Sequence, residues 1–304
     1  QQSARAVMMV EPNFFQFNSD AALDNAYMKE PDSADNINEQ VMKEFNSLVA
    51  TLEQYGIEVN RFESQEGCPD AVWPNNWIAT LPNAQGVVSY SLFPMKTDNR
   101  RRERNNRNVL DFLDSRYPNG LEKDWSVENE DKNRILEGTG SLSLDHENKI
   151  AYACISERTH AALAQEWADY YRYKLVSFSA THVGKIVYHT NVIMAVGKNF
   201  VVIALDTVHE EHRESLLLQF KDTKKQVIQI SSEQVSQFCG NILELSGTNS
   251  SRILAMSSQA FHAFTEAQKK QFYDLGINHI AHSDIKTLES IGGGSCRCML
   301  AELF

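Results

Sequence analysis

Residues 188–205 read YHTNVIMAVGKNFVVIAL, a pattern that recurs along the chain. A polar stretch, YHTN, precedes an apolar run, a turn formed by Gly197, Lys198 and Asn199, and a second apolar run. Two apolar runs joined by a short turn that contains Gly and Asn are typical of a β-hairpin. The pattern therefore predicts two antiparallel strands that follow a polar turn, which we call the lead-in of the hairpin.

Similar hairpins are predicted at other places in the chain. They occupy residues 73–92 (WPNNWIATLPNAQGVVSYSL), 136–155 (LEGTGSLSLDHENKIAYACI) and 239–256 (CGNILELSGTNSSRILAM), and half of a further copy lies at 291–304 (IGGGSCRCMLAELF). Helical patterns follow the complete hairpins, at residues 99–117, 156–173, 206–220 and 258–275. A third apolar run comes next at residues 175–178, 226–230 and 277–281. The repeated unit is strand, strand, helix, strand.

The start of the chain supplies the parts that the half copy lacks. Residues 5–10 and 57–62 are apolar runs, and residues 36–55 carry apolar side chains at helical spacing, with a predicted capping box at Asn36 and Glu39. Thr207 and Thr265 are predicted N-caps of later helices, and residues 118–131 a predicted insertion loop. Each unit is too small to bury its own sheet. The sequence therefore predicts a single α/β domain over residues 1–304 whose five repeats close into a ring.

Composition excludes several classes of function. The chain has 304 residues, 42% of them hydrophobic, and a net charge of −11, which argues against binding to nucleic-acid phosphates. No apolar run approaches the ~18 residues of a membrane helix, and the first residues lack a signal-peptide core. Five scattered cysteines fit neither a disulfide framework nor a zinc ribbon, so a reducing cytoplasm is the expected compartment.

Two groups of charged residues have a simple structural interpretation. The basic run at residues 100–107 is predicted to be a solvated helix face, with an arginine that reaches a substrate carboxylate as the alternative. His209 and His212 could lie one helical turn apart as metal ligands, but no third ligand accompanies them, so a solvated face is favoured there too. Neither a metal nor an organic cofactor is expected.

The lead-ins carry the side chains that can perform chemistry. If the units are related by rotation, their lead-ins face one axis with Asn75, Asn76, Glu137, His189, Asn191, Asn241 and Cys296. A thiol, an imidazole and a carboxylate that converge suit nucleophilic attack on an electrophilic carbon, with the imidazole moving protons. Taken singly, His189 could be a core histidine and Glu137 could close a turn. Their equivalent positions favour a catalytic set of Cys296, His189 and Glu137.

Cys296 follows three glycines, whose backbone can approach a ligand closely. It is predicted to lead directly into a short buried strand at residues 299–304, where the neighbouring Arg297 would favour the thiolate. The alternative is that Cys296 and Cys298 are both small core residues.

The chain resembles the guanidino-group-modifying enzymes, which include arginine deiminase, dimethylarginine hydrolase and arginine:glycine amidinotransferase. The resemblance rests on EGTG at 137–140, similar to their Glu-Gly-Gly element, on YHTN at 188–191, similar to their His-x-Asp element, and on GGSC at 293–296, similar to the nucleophile loop. PNNW, HTNV and GGGSxRCMLAE are most similar to the citrulline-utilisation hydrolases. The resemblance implies a five-bladed α/β propeller, or pentein, with Cys296 as nucleophile.

One departure from that family bears on the substrate. The deiminases have aspartates in the places of Asn76 and Asn191, where they hold a guanidinium, whereas these two residues are neutral amides. An amide donates as well as accepts hydrogen bonds, which suits a neutral ureido group. Together with Asn75 and Asp70 they form the predicted substrate-binding set, and Glu137 is expected to accept from substrate N–H groups.

The expected function is hydrolysis of a C–N bond in a citrulline- or arginine-like compound, with arginine deiminase or amidinotransferase chemistry as alternatives. A non-catalytic propeller that binds a partner is the alternative from a different class. The expected partner is a small guanidino or ureido molecule rather than nucleic acid or membrane, and a homodimer is left open.

Overall fold

The computed structural model describes residues 1–33, 36–83 and 85–304. The strands in this part of the chain are β1 (Ala6–Val10), β2 (Glu58–Phe62), β3 (Ile78–Pro82), β4 (Val88–Leu92), β5 (Leu121–Asp124), β6 (Leu142–Asp145), β7 (Ile150–Cys154), β8 (Lys174–Phe178), β9 (Thr181–His182), β10 (Lys185–Ile186), β11 (Met194–Val196), β12 (Phe200–Ile203), β13 (Gln226–Gln229), β14 (Leu243–Ser246), β15 (Arg252–Ser257), β16 (His279–Ser283) and β17 (Ala301–Leu303).

Helices alternate with these strands. They are α1 (Ser19–Ala22), α2 (Ile37–Gln54), α3 (Asp98–Arg101), α4 (Arg107–Arg116), α5 (Ser126–Asp131), α6 (Gly138–Ser141), α7 (Ala161–Tyr171), α8 (Glu210–Asp222), α9 (Ser232–Ser236), α10 (Ser258–Ala263), α11 (Glu266–Asp274), α12 (Lys286–Gly292) and α13 (Cys296–Met299). Short 3₁₀ turns occupy Pro74–Asn76, Arg102–Asn105, Thr190–Val192 and Thr248–Ser250. None of the described helices is both long and apolar enough to cross a membrane.

Most strands belong to small mixed sheets that share one topology. In strand order the sheets are β3-β4-β5, β6-β7-β8, β11-β12-β13, β14-β15-β16 and β17-β1-β2. The first two strands of each sheet are antiparallel and the last two are parallel. The predicted repeat is therefore present, and the last sheet joins β17 to β1 and β2, as the half copy requires.

A helix or pair of helices connects the second and third strands of each sheet because parallel strands need a long crossover. The α2 helix shows why these sequences form helices: its buried residues Val41, Phe45, Leu48 and Leu52 recur at spacings of three and four. They lie in one apolar cluster with Val7, Leu245 and Ala255 from the strands.

The first strands of neighbouring sheets lie close to one another, as β17 does to β3, β6 to β11 and β11 to β14. The hydroxyl of Thr80 in β3 donates to the carbonyl of Glu302 in β17 at 2.8 Å, and the hydroxyl of Ser143 in β6 donates to the carbonyl of Met194 in β11 at 3.2 Å. A cavity of about 30 Å³, lined in part by β6, β11 and β14, lies between them. The residues that precede these strands are therefore brought into one region.

Several local predictions are wrong. Residues 118–131 contain strand β5 and helix α5 rather than an insertion loop. Helix α8 begins at Glu210 after His209, and the Thr207 hydroxyl instead donates to the carbonyl of Ala204 at 2.8 Å. Asn36 makes no side-chain cap of α2, whereas Thr265 and Gln268 form the predicted capping box.

Candidate active site

The lead-ins form short helical turns immediately before the first strands. They are Pro74–Asn76 before β3, α6 before β6, Thr190–Val192 before β11 and α13 before β17, while Asn241 precedes β14. Glu137 and His189 occupy the N-cap positions of their turns. Because each turn is tight and buried, it holds its polar side chains at the place where the sheets meet.

The strongest polar contact among the predicted residues joins His189 to Glu137. His189 Nε2 lies 2.7 Å from Glu137 Oε2, and both side chains are buried. Burial opposes ionisation of Glu137, but Arg158 and the hydrogen bond from His189 outweigh it and hold the pKa of this carboxyl well below its usual range. The carboxylate therefore accepts a hydrogen bond from the Nε2–H group, which leaves Nδ1 of the neutral imidazole as a base.

The buried surroundings of His189 favour its neutral form. Burial lowers the pKa of the imidazole, and the hydrogen bond with Glu137 offsets this only in part. The other oxygen of Glu137 accepts from the backbone N–H of Lys96 at 2.9 Å. Glu137 was expected to accept from the substrate, and each of its oxygens already has one protein donor, His189 at Oε2 and Lys96 at Oε1.

Asn76 presents a hydrogen-bond donor to the same region. Its Oδ1 accepts from Arg100 Nη1 at 2.8 Å, and because a guanidinium has no acceptor, this contact fixes which end of the amide is oxygen. Its Nδ2 is buried and has no partner within the described residues. A Cβ on Gly140 would lie 2.4 Å from Asn76 Nδ2 and 2.8 Å from His189 Nδ1. Because Gly140 has no Cβ, Asn76 Nδ2 and His189 Nδ1 can both lie beside its backbone.

The thiol that the lead-ins bring into this region is that of Cys298. Its Sγ lies 3.2 Å from Asn241 Nδ2 and 3.5 Å from Asn191 Nδ2, so two amides donate toward the sulfur. The hydroxyl of Tyr188 donates to the carbonyl of Gly293 at 3.0 Å, and its ring lies 4.7 Å from that of His189. Tyr188 thus joins the His189 turn to the loop that carries the thiol. Gly293 takes φ +63°, in the left-handed region that suits glycine.

Cys296 lies in different surroundings from those predicted. It is fully buried in the apolar cluster that contains Val72, Trp73 and Leu300, and within the described part of the chain its Sγ has no hydrogen bond. Burial and the nearby Glu289 raise the pKa of its thiol. Arg297, expected to favour the thiolate, instead donates to the carbonyl of Leu300 at 2.7 Å and to Glu302 at 3.0 Å. These surroundings favour the alternative reading of Cys296 as a core residue.

The cause of this difference is local structure. Residues Cys296–Met299 form a helical turn, and the strand begins only at Ala301. The sequence holds a signal for the correct register: Asn76, Asn191, Asn241 and Cys298 each precede two apolar residues that lead into a first strand. Alignment on those apolar pairs places Cys298, not Cys296, in the position of the asparagines.

Asn75 and Asp70 lie in the same lead-in as Asn76. Asn75 Nδ2 donates to Thr139 Oγ1 at 3.3 Å, and its Oδ1 is buried without a described partner. Asp70 Oδ2 accepts from Asn18 at 2.7 Å, whereas its Oδ1 is another unpartnered buried oxygen. Burial raises the pKa of Asp70, with Arg100 opposing this. Both residues therefore retain acceptors that a ligand could use.

The basic run has a structural role that its sequence did not suggest. Arg100 and Arg104 are buried rather than solvated. Arg100 makes two contacts with Glu103, at 2.9 and 3.0 Å, and Arg104 lies 2.6 Å from Glu130. The buried Arg100 is therefore available to orient Asn76.

A cavity of about 470 Å³ opens beside Tyr188. It is lined by Leu23, Asp24, Lys96, Ser156, Glu157, Lys185, Ile186 and Tyr188. Asp24 contacts Lys96 at 2.9 Å and also contacts Arg158, which lies 3.6 Å from Glu137. Charges of both signs thus line an opening next to the His189 region. The described residues include no cluster of three or more His, Cys, Asp or Glu side chains that could hold a metal ion.

Comparison with known proteins identifies related families and folds. Residues 11–304 match the family described as N,N dimethylarginine dimethylhydrolase, eukaryotic. No curated protein sequence matches the chain. The apo structure of ArgZ, an arginine dihydrolase from the ornithine-ammonia cycle in cyanobacteria, is similar with a TM-score of 0.75 and 14% identity over 97% of this chain. The chain spans only 40% of the length of that protein.

Two further solved structures are similar along their whole length. The N-terminal domain of ArgZ, a Cys-to-Ser variant bound to substrate, gives a TM-score of 0.76 at 14% identity and covers 98% of this chain and 97% of that one. DDAH from Pseudomonas aeruginosa, a Cys-to-Ser variant in complex with citrulline, gives a TM-score of 0.67 at 14% identity and covers 99% of this chain and 100% of that one. The chain therefore has an α/β fold of small mixed sheets similar to that of these enzymes.

Proposed function

Because the chain belongs to the family described as N,N dimethylarginine dimethylhydrolase, eukaryotic, we propose that it is a hydrolase that cleaves a C–N bond of a ureido or guanidino compound. The convergence of Cys298, the His189–Glu137 pair and the unpartnered N–H of Asn76 supports this proposal. Cys298 is the proposed nucleophile, His189 the acid and base, and Glu137 the group that orients His189.

The reaction proceeds through a covalent thio-intermediate. His189 Nδ1 takes the proton of the Cys298 thiol as sulfur attacks the central carbon, and it returns that proton to the departing nitrogen as the C–N bond breaks. His189 then takes a proton from water, whose oxygen forms the new bond to carbon. Release of sulfur, with the proton returned to it, regenerates the thiol. With citrulline the departing nitrogen is that of ornithine, and water releases the carbamoyl group as carbamate, which breaks down to ammonia and carbon dioxide.

The ureido group is the preferred substrate in this proposal because of Asn76. Its Oδ1 faces Arg100, so only an N–H group is left to face the substrate. A ureido oxygen accepts such a bond, whereas a guanidinium offers only donors. The unpartnered Oδ1 atoms of Asn75 and Asp70 supply acceptors for the N–H groups of the ureide.

A guanidino substrate is the second candidate, because the matching family is described by dimethylarginine and the similar ArgZ by arginine. The carboxylate of Asp70 would then face the cation. With arginine the same steps give citrulline and ammonia, as in a deiminase, and transfer to an added amine would make the protein an amidinotransferase. A binding module without chemistry is disfavoured by the ordered His189–Glu137 pair.

The proposal extends to architecture and location. The five similar three-stranded sheets are the blades of an α/β propeller that forms one catalytic domain over residues 1–304. The described chain has five free thiols, at Cys68, Cys154, Cys239, Cys296 and Cys298, which favours a reducing compartment such as the cytoplasm.

Substrate profiling tests the function directly. Citrulline, arginine, agmatine and methylarginines are offered separately, with detection of ammonia and of the amino-acid product. We expect release of ornithine from citrulline. Ready turnover of arginine with none of citrulline would overturn the ureido preference, and no turnover of any of them would overturn the hydrolase proposal.

The identity of the nucleophile is tested by a matched pair of variants. Cys298→Ala should lose at least about 10⁴-fold in kcat because no thiolate forms the intermediate. Cys296→Ala removes one sulfur from an apolar cluster and should keep activity within about threefold, at a modest cost in stability. The reverse result, with activity lost only in Cys296→Ala, would restore Cys296 as the nucleophile.

A further inference from the structure

Asn241 is the only lead-in amide that contacts both the sulfur and the backbone of Cys298 among the described residues. It precedes the first strand of the fourth sheet, β14, and is buried. Its Oδ1 accepts from the backbone N–H of Cys298 at 3.4 Å, and its Nδ2 lies 3.2 Å from Sγ. The same Nδ2 donates to the carbonyl of Asn191 at 3.1 Å. One side chain thus connects two lead-ins to the thiol.

The orientation of this amide follows from its partners. The backbone N–H of Cys298 can only donate, and the carbonyl of Asn191 can only accept. Oδ1 must therefore face the former and Nδ2 the latter. The second hydrogen of Nδ2 is then left for the sulfur, which it approaches as a donor.

Among the described residues, no arginine or lysine donates to Sγ of Cys298. Arg297, the nearest guanidinium in sequence, is engaged with Glu302 and with the carbonyl of Leu300. The hydroxyl of Tyr188 donates to the carbonyl of Gly293 rather than to the sulfur. The described donors to Sγ are the amides of Asn241 and Asn191. A neutral ureido substrate brings no charge that would favour the thiolate, so these amides are the available source of stabilisation.

We propose that Asn241 is a catalytic residue that stabilises the Cys298 thiolate through its N–H···S bond and fixes the sulfur through the backbone N–H of Cys298. The proposal rests on the role of Cys298 as nucleophile. A hydrogen bond to a charged acceptor is stronger than one to a neutral acceptor, so the amide favours thiolate over thiol. Asn191 makes the same kind of contact at the longer distance of 3.5 Å.

The test measures the reactivity of Cys298 without any substrate. Iodoacetamide labelling is followed by mass spectrometry of the Cys298 peptide over a range of pH, because alkylation reports the thiolate. Asn241→Asp keeps the size and the acceptor for the Cys298 N–H but replaces the donor with a carboxylate. Asn241→Ala removes both contacts. Asn129→Ala, which removes a buried amide that donates to the carbonyl of Trp125, is the control.

In both Asn241 variants we expect the midpoint of the alkylation profile to move to higher pH by about one unit, with labelling at pH 7 reduced about 10-fold. The control should keep the wild-type profile. Unchanged midpoints in folded Asn241 variants would overturn the proposal.

The outcome is separable from that of the proposed function. A shifted profile in a protein that turns over none of the offered substrates supports stabilisation of the Cys298 thiolate by Asn241 and contradicts the hydrolase. Turnover of citrulline with an unshifted profile in the variants supports the hydrolase and contradicts Asn241. A merely structural role would lower the unfolding temperature of the Asn241 variants without moving the midpoint of alkylation.

Discussion

At the scale of the residue, Asn76 is the clearest example of a side chain whose chemistry is set by a neighbour. An isolated amide could turn either end toward a substrate. The guanidinium of Arg100 is buried and paired with Glu103, and it can only donate hydrogen bonds. It therefore binds the amide oxygen of Asn76. A buried N–H without a partner costs about 1–3 kcal/mol, which a bound acceptor would recover.

Replacement of Asn76 by aspartate should change the preference between substrates. The new carboxylate would pair with Arg100 and present an oxygen, so the donor to a ureido oxygen is lost and citrulline turnover should fall about 10²- to 10³-fold. Turnover of arginine should rise relative to citrulline. Asn76→Ala is the comparison: it should lose citrulline turnover without a gain for arginine. Steady-state kinetics with both substrates measures this preference. An unchanged ratio of citrulline to arginine turnover in Asn76→Asp would contradict the proposed role of Asn76.

His189, Glu137 and the asparagines could be predicted from sequence because each lies two to five residues before a strand that is recognisable from its apolar run. The prediction of Cys296 as nucleophile assumed that a strand follows it directly, whereas residues Cys296–Met299 form a helical turn. Arg100 was also predicted to be solvated, although Glu103 three residues later is the kind of partner that allows a buried arginine.

At the scale of the element, the loop between α12 and α13 positions Cys298, the proposed nucleophile, through Glu289. Its Oε1 accepts from the Ser295 hydroxyl at 2.6 Å, and the Ser295 carbonyl accepts from the backbone N–H of Cys298 at 3.0 Å. Burial raises the pKa of Glu289 from 4.5 to about 7. Its Oε2 is buried with no partner in the described chain, so ionisation there is unfavourable.

Glu289 should make stability depend on pH. Between pH 4.5 and about 7 the folded chain holds a proton on Glu289 that the unfolded chain has lost, so the free energy of unfolding falls as pH rises through this window and then levels off. Glu289→Gln keeps an acceptor for Ser295 but cannot titrate. From pH 5 to pH 8 the free energy of unfolding of the wild type should therefore fall by about 2–3 kcal/mol more than that of the variant. Urea unfolding at both pH values measures this difference. Equal losses in the wild type and the variant would contradict the role of Glu289.

Elements were predicted well where apolar periodicity is strong and poorly where it is weak. The hairpins and the helices α2, α7 and α8 follow their apolar patterns within a few residues. Strand β5 was missed because its sequence, LEKD, is polar and largely exposed, and its place in the sheet comes from pairing with β4. Local sequence does not contain that information.

At the scale of the whole molecule, β1 and β17 pair residues that are 293 to 297 positions apart, and a buried ion pair lies beside this pairing. Arg297 contacts Glu302 at 3.0 Å, both side chains are 9% exposed, and the Glu302 carbonyl accepts from Thr80 in the neighbouring sheet. Sequence periodicity predicted the pairing of β17 with β1, because a half copy needs its missing strands. It could not predict the ion pair, which depends on the turn of α13.

Removal of one member of this pair should destabilise the fold more than removal of both. Glu302→Gln leaves the buried guanidinium of Arg297 without its counter-charge, at an expected cost of about 3–5 kcal/mol. The double variant Arg297→Met/Glu302→Leu replaces both charges with apolar side chains of similar size and should lie within about 2 kcal/mol of the wild type. Urea unfolding of Glu302→Gln and of the double variant measures the two losses. A double variant that loses as much free energy of unfolding as Glu302→Gln would contradict the cost assigned to the unpaired buried charge.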